Sequence, residues 1–228
     1  MNIYLIAGGS PVNRNYFVRL IWGIVCLLYA VSPASGNLVE NGEFSAPAVV
    51  GLSYYSYHEN SDPPEFQWVV GGSSPGYEAV HLIRSLWTGY SGVSGDQSVA
   101  IYSSAHIDQV FFTVPGQQYR LFFGYANDPA NASASGQVVV SNSLVTPLLS
   151  VSLSHSGSTY GDMHFTDFSG TFTGDGGPNM LSFFGDRDNP TTGFVVDRVI
   201  VEVVPLPPTI LLLGTGIMGL LARRKRAV

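Results

Sequence analysis

Aromatic side chains in Gly- and Ser-rich stretches are the residues of this 228-residue chain best suited to bind a ligand. Trp87 and Tyr90 stand in the sequence Leu-Trp-Thr-Gly-Tyr-Ser-Gly, and Tyr55 and Tyr57 belong to a second cluster, for which we predict a loop. Faces of Trp and Tyr stack on pyranose rings, while polar neighbours hydrogen-bond the sugar hydroxyls. Alternatively, the same rings close the ends of a folded core. The two clusters therefore predict either a sugar-stacking surface or core plugs.

Residue types for catalysis occur in the chain. The five histidines never form His-x-x-x-His, so a zinc site has no signature. One Gly-x-Ser-x-Gly spacing is present, at residues 72–76, but it stands between two predicted strands, 66–70 and 78–83, instead of the strand and helix that a nucleophile elbow requires. Carboxylate pairs for glycoside hydrolysis are spaced in three dimensions rather than in sequence. A glycan-processing hydrolase therefore stays open as the alternative to a non-catalytic module. The acidic stretch 186–189 suits a cation or a solvated turn.

The charge distribution excludes several classes of function. The middle segment, residues 37–204, holds four arginines and all sixteen acidic residues, a net charge of −12. Such a surface repels phosphate backbones, so we expect no nucleic-acid partner. The sole lysine is Lys225 and the sole cysteine is Cys26, both outside this segment. Schiff-base chemistry, disulfides and cysteine-ligated zinc are therefore excluded from it.

Residues 1–36 predict a secretory signal peptide. An uncharged apolar run, 20–31, follows Arg14 and Arg19 and precedes the small residues Ala-Ser-Gly. A basic flank, a short apolar core and a small-residue exit are the parts of such a signal. We expect cleavage between Gly36 and Asn37. The alternatives are a buried helix or an uncleaved anchor, although twelve residues are short for a bilayer span of about 20.

The C-terminal segment, residues 205–228, has the composition of a membrane tail. A Pro-rich stretch over 204–209 precedes an apolar run over 210–222 and a basic end over 223–226. Prolines end the preceding strand and form a stiff spacer. The apolar run predicts a transmembrane helix, and the basic end stays cytoplasmic by the positive-inside rule. We therefore expect export across the inner membrane, with the middle segment outside.

This tail resembles the PEP-CTERM class of sorting signals of Gram-negative bacteria. Val204, Pro205 and Pro207 match the Val-Pro-Glu-Pro motif of that class, and Leu206 replaces the glutamate, as in its Val-Pro-Leu-Pro variant. The resemblance implies processing by an exosortase, a membrane transpeptidase, and association with the cell surface or an exopolysaccharide matrix. A plain single-span anchor is the alternative.

The middle segment predicts an antiparallel jelly-roll β-sandwich of about nine or ten strands, with an up-and-down barrel as the alternative. Short runs rich in Val, Ile, Phe, Tyr and Thr alternate with turns rich in Gly, Pro, Asn and Asp, as in half-buried strands. We predict a mobile loop over 131–136. The predicted strands cover 66–70, 78–83, 97–102, 107–114, 118–125, 137–140, 148–153, 163–172, 180–184 and 193–204.

Three stretches of the middle segment, residues 37–44, 109–123 and 193–201, resemble galactose-binding-like jelly rolls, among them carbohydrate-binding modules and choice-of-anchor domains. Such domains often hold a calcium ion between the first and last strands with oxygen ligands. The resemblance implies that Asn41, Glu43 and Asp197 are calcium ligands. The alternatives are an ion pair between Asp197 and Arg198 or solvated carboxylates. We expect no other cofactor.

These features predict an exported envelope or matrix protein whose sandwich is a non-catalytic module that binds glycan or serves as structure. Its expected partners are an exosortase, the inner membrane and a polysaccharide. A purely structural matrix component without a ligand is the second alternative, beside the hydrolase.

Overall fold

The structure, a computed structural model, describes residues 36–50, 53–59, 64–72, 80–84, 97–186, 191 and 193–205. Eleven strands and no helix occur in these ranges. The predicted signal peptide, the predicted transmembrane helix, Trp87 and Tyr90 lie outside them. In the part of the chain that the structure describes, no helix is long and apolar enough to cross a membrane. One compact unit extends over Ser35–Val204.

The strands follow the predicted apolar runs closely. They are β1 (Tyr54–Tyr57), β2 (Val69–Gly71), β3 (Val80–Arg84), β4 (Gln97–Tyr102), β5 (His106–Thr113), β6 (Gln118–Asn127), β7 (Ser133–Asn142), β8 (Pro147–Ser156), β9 (Thr166–Thr173), β10 (Gly177–Phe184) and β11 (Gly193–Val203).

Two antiparallel sheets form the sandwich. The six-stranded sheet has the order β1-β3-β4-β11-β6-β9, and the five-stranded sheet has the order β2-β5-β10-β7-β8. Strands distant in sequence are therefore neighbours, and the last strand, β11, lies between β4 and β6. The arrangement confirms the predicted jelly-roll sandwich and differs from an up-and-down barrel, in which successive strands would be neighbours.

The core lies between the two sheets and is built by alternation along each strand. In β6, Tyr119, Leu121 and Phe123 are buried, because every second side chain of a strand points to the same face. Phe123 meets Phe183 of the opposite sheet edge-on, with ring centroids 4.9 Å apart and planes at 86°. Aromatic pairs prefer such geometry. Burial of these rings holds the two sheets together.

Two loop predictions were wrong. Tyr54–Tyr57 form β1, paired with β3, and most of the stretch predicted as a mobile loop lies in β7. In β7 the small residues face a large neighbour: a Cβ on Gly136 would come within 2.5 Å of the Phe194 ring. Small size at these positions thus reflects close packing rather than mobility.

The opening segment of the described chain lies along the last strand. The Leu38 N–H donates to the Val201 carbonyl at 2.8 Å, and the Val199 N–H donates to the Gly42 carbonyl at 2.8 Å. Asn37 adds a side-chain clasp: its Nδ2 donates to the Val199 carbonyl and its Oδ1 accepts the Val201 N–H, each at 2.8 Å. Residues 37–42 therefore cover the part of β11 that extends beyond β4.

Candidate functional site

The outward face of the six-stranded sheet carries a second apolar cluster. It is separate from the main core because its residues occupy the alternate strand positions. The buried members are Ile83, Ala100, Ala126, Met163 and Val195, and Tyr54, Tyr102 and Phe165 pack against them. Small residues on the central strands leave room there for large rings contributed from β1, β4 and the loop between β8 and β9.

Three rings from neighbouring strands meet on this face, and we call them the aromatic row. Tyr54 of β1 stacks on His81 of β3 with ring centroids 4.5 Å apart and planes at 17°. His81 in turn meets Tyr102 of β4 at 4.8 Å and 54°. All three side chains are half-buried, so each keeps part of its surface in solvent. The row is thus a partly exposed aromatic surface.

A carboxylate completes one end of the aromatic row. The Tyr102 hydroxyl donates to Oδ2 of Asp128, whose Oδ1 accepts the Ala130 N–H at 2.8 Å. Burial, followed by the nearby Asp128 charge and the hydrogen bond, raises the pKa of Tyr102 far above its usual value. The phenol therefore stays protonated and keeps its oxygen lone pairs as hydrogen-bond acceptors.

The loop over residues 157–165 covers part of this face and is fixed by a buried polar cluster. Oδ1 of Asn127 accepts the Ser158 N–H at 3.1 Å. Nδ2 of Asn127 donates to the Asp128 and Asn131 carbonyls at 3.0 and 2.7 Å. Nε2 of His155 lies 2.8 Å from the His164 carbonyl. Because these groups are buried, their mutual hydrogen bonds are needed to offset desolvation, and they fix the loop against the second cluster.

Ser158 and His155 lie side by side, with Oγ 3.5 Å from Nδ1. A nucleophilic serine needs a base to accept its proton. Here the Ser158 hydroxyl donates to the Met163 carbonyl at 2.8 Å, and both side chains are buried. The arrangement stabilises the loop and leaves this hydroxyl bound to a carbonyl instead of a base.

A shallow groove crosses the outward face of the five-stranded sheet. It has a volume of about 400 Å³. Its polar lining comes from alternating serines of β7 and β8 and from Asp186, and its residues include Ser135, Gln137, Ser152, Ser154, Phe184 and Asp186. Of the predicted acidic stretch, only Asp186 belongs to the described residues. The groove offers hydroxyl and amide groups with one aromatic ring.

Tyr55 and Tyr57, which the sequence predicts as ligand-binding residues, point toward the main core. Both are partly buried and pack against it. The ring of Tyr57 lies 4.9 Å from that of Phe66, and burial raises the pKa of Tyr57. Their positions favour the core-plug alternative. The ligand role of these two residues, and that of Trp87 and Tyr90, stays a prediction.

The predicted calcium ligands lie near the opening segment and β11. Nδ2 of Asn41 donates to the Ala46 and Phe66 carbonyls at 2.6 and 2.9 Å, and its Oδ1 accepts the Ala46 N–H at 3.1 Å. Asp197 is fully buried, and its Oδ1 accepts the Arg198 N–H at 2.7 Å. The Asn41 amide thus has a structural use already. A calcium site at Asn41, Glu43 and Asp197 stays a prediction.

Arg198 pairs with a different acid from the one that its place in the sequence suggests. Its Nη2 lies 2.7 Å from Oδ1 of Asp167, a residue of β9, the strand next to β6. Its guanidinium carbon lies 4.5 Å from the centre of the Phe122 ring. Among the described residues, no group of three or more His, Cys, Asp or Glu side chains is placed to hold a metal ion.

Comparison with known proteins defines the class of the chain. Residues 37–202 match the family described as protein of unknown function DUF642, so the chain belongs to this family. Residues 203–226 match the PEP-CTERM protein-sorting motif, which confirms the predicted sorting tail and indicates export with membrane anchoring for processing. No curated protein matches the chain.

Solved structures share the fold at low sequence identity. A cyclase from Fischerella sp. TAU superposes with a TM-score of 0.53 and 12% identity, over 75% of this chain and 98% of the cyclase. A carbohydrate-binding module of family 61 in complex with beta-1,4-galactotriose gives 0.49 and 15%, over 74% and 99%. A module of family 4 gives 0.49 and 15%, over 73% and 99%. At this identity the superposition on the cyclase shows a shared fold and nothing beyond it.

Proposed function

We propose that this protein is a non-catalytic, glycan-binding module displayed outside the inner membrane by its sorting tail, in the envelope or an exopolysaccharide matrix. The observation that carries the proposal is the aromatic row of Tyr54, His81 and Tyr102 beside the Asp128 carboxylate. Exosortase is the proposed processing partner, because the tail belongs to the PEP-CTERM class.

The chemistry of the row suits a sugar ring. Partly exposed aromatic rings supply an apolar surface for the C–H face of a pyranose, and adjacent polar groups orient its hydroxyls. Tyr102 can accept a hydrogen bond from such a hydroxyl while it donates to Asp128. Rigid support of the three side chains matters as much as their chemistry, because side chains that are already fixed lose little conformational entropy on binding. Here the strand pairing of β1, β3 and β4 and the loop at 157–165 supply that support.

The net charge of the middle segment limits which glycans the module can bind. The middle segment carries a net charge of −12, and a surface with that charge repels polyanions at low ionic strength. Neutral or amino-substituted polysaccharides therefore suit it better than uronate-rich or phosphorylated ones.

The test is binding of the full-length chain in detergent to a panel of neutral, amino-substituted and acidic polysaccharides. We expect retention by at least one non-acidic glycan, weakened about fivefold by Tyr54→Ala, which removes a ring worth about 1 kcal/mol. Phe112→Ser is the matched control, since it removes an exposed ring from the other sheet. Trp87→Ala tests the stretch that the sequence predicts.

Three results would contradict the proposal. Absence of binding across the panel would favour a structural component without a ligand. Equal loss in Tyr54→Ala and Phe112→Ser would remove the aromatic row as the site. Release of shortened glycan by the wild-type chain would establish the hydrolase alternative.

A further inference from the structure

The described chain leaves the sandwich at one end, which we call the tail end. The Val204 N–H donates to the Gln118 carbonyl at 2.9 Å, and Nε2 of Gln117 donates to the Val204 carbonyl at 3.1 Å. The strand registers place the turns after β5, after β7 and after β9 at this same end, because β5 and β6, β7 and β8, and β9 and β10 all reverse there. These three turns surround the exit of the chain.

The tail end is unusually apolar for a protein surface. Phe112 is 70% exposed, Val114 62%, Leu144 82% and Val145 75%. They make up half of the eight large apolar side chains most exposed in the described ranges. Single exposed apolar residues are ordinary, whereas a group of them at one place marks an interaction surface.

The turn that presents Leu144 and Val145 is ordered and strained. Oδ1 of Asn142 accepts the N–H groups of Leu144 and Thr146 at 3.0 and 2.9 Å, and the Val145 N–H donates to the Asn142 carbonyl at 2.9 Å. Val145 has a φ of 61°, a left-handed conformation that is unfavourable for a β-branched residue. Replacement of Val145 by Gly or Asn would relieve that strain without exposing an apolar side chain. A strained valine held in solvent therefore points to a use for its side chain.

The length of the tail limits what can lie opposite this end. Only five residues, Pro205 to Thr209, separate Val204 from the apolar run that begins at Ile210, and five extended residues reach at most about 17 Å. The sorting motif indicates anchoring in the membrane. While the anchor is in place, the tail end must stay close to the bilayer surface.

We propose that the tail end docks on the lipid bilayer, with Phe112, Val114, Leu144 and Val145 inserted among the headgroups. The inserted side chains supply apolar area, as interfacial anchors do. The neighbouring charges are Asp175 and the Arg120–Glu202 ion pair, which give no positive patch for anionic lipid. We therefore expect docking on zwitterionic membranes, weakened by anionic lipid. This proposal rests on the sorting tail and is independent of glycan binding.

The test uses the full-length chain with Cys26→Ser and one new cysteine, reconstituted in phosphatidylcholine vesicles. Leu144→Cys reports on the tail end. Ser156→Cys is the matched control, because it is exposed and lies at the far end of β8, about 30 Å away along the strand. Each cysteine carries an environment-sensitive fluorophore. We expect blue-shifted emission and several-fold weaker iodide quenching at position 144, and aqueous behaviour at position 156.

Several outcomes would overturn the proposal. Equal quenching at positions 144 and 156 would show a tethered domain that does not touch lipid. Protection at 144 that increases with protein density on the vesicle would show contact with a second copy instead. A third variant adds Phe112→Ser and Val145→Ser to Leu144→Cys. If it retains the wild-type melting temperature and full protection, the apolar side chains do not mediate docking.

Discussion

The hydroxyl of Tyr102 donates a hydrogen bond to the carboxylate of Asp128 and thereby links β4 to the turn that follows β6. Tyr102 belongs to the aromatic row, and the Asp128 carbonyl accepts from Nδ2 of Asn127, which holds the loop at 157–165, so the pair joins the two parts of the candidate site. The Asp128 side chain is buried and that of Tyr102 is half-buried. A charge-assisted bond in such surroundings is stronger than a neutral one.

We expect Tyr102→Phe to lower the free energy of unfolding by about 1–3 kcal/mol at pH 7, because Asp128 loses a donor. The pKa of Tyr102 is raised above its usual value of about 10, so the folded state retains this proton to higher pH than the unfolded state does. Its contribution is complete below pH 10 and decreases as pH rises further. Denaturant titrations at pH 7 to 11 should show the wild-type advantage shrinking above pH 10. A constant difference would refute this account.

Gln97 fixes the segment over 44–49 from within the buried region. Its Nε2 donates to the Phe44 and Pro47 carbonyls at 2.6 and 3.1 Å, and its Oε1 accepts the Val49 N–H at 2.6 Å. Gln97→Glu puts a charge against two carbonyls and should cost about 3–5 kcal/mol at pH 7.

Acid should partly rescue this variant, because a protonated carboxyl regains one donor. The folded-state pKa of the new carboxyl is raised by burial, so stability is retained at low pH and lost as pH rises. Chemical denaturation at pH 4.5 and pH 7 measures the change. The control Gln118→Glu lies at an exposed position and should change stability by less than about 0.5 kcal/mol. Equal deficits at both pH values would contradict the mechanism.

Gly136 is required by close packing rather than by backbone conformation. A Cβ there would lie 2.5 Å from atoms of the Phe194 ring, which is fully buried. Gly136→Ala should therefore lower stability by about 1–3 kcal/mol through overpacking. Gly161→Ala adds the same methyl group where no atom lies within 4 Å. Thermal unfolding of the two variants measures the difference in their melting temperatures. Similar melting temperatures would show that the Phe194 ring moves aside at little cost in stability.

Asn127 should control the loop at 157–165. Asn127→Ala leaves the buried N–H of Ser158 without its acceptor, a loss of about 1–3 kcal/mol. We expect faster limited proteolysis between residues 157 and 165, with Ser133→Ala as a neutral exposed control. A loop as resistant as that of the wild type would show that His155 and Ser158 suffice.

Much of the fold could be predicted because hydrophobic alternation encodes it. Gln97–Tyr102 was predicted with its observed limits, since its apolar residues are bounded by clear turn signals. β1 was missed because four half-buried residues with three tyrosines have no apolar face to recognise. The start of β7 was missed because Ser, Ala and Gly are poor strand formers. Packing against Phe194 outweighs that preference.

The candidate site was harder to predict than the strands. His81 and Tyr102 are 21 positions apart in the sequence and meet only because β3 pairs with β4. Their outward position follows from alternation once the strands are known, but their contact depends on register. Cross-strand register depends on turn geometry and on which faces are buried, neither of which a single sequence specifies. The buried state of Tyr55 and Tyr57 required β1 to be known first.

The position of β11 governs when this protein can become folded. β11 is the last strand of the domain to be synthesised. It lies in the middle of a sheet, between β4 and β6, and Asn37, at the other end of the domain sequence, hydrogen-bonds to it. Pairings so distant along the chain form slowly and late. The sandwich can therefore close only after residue 203 has left the ribosome.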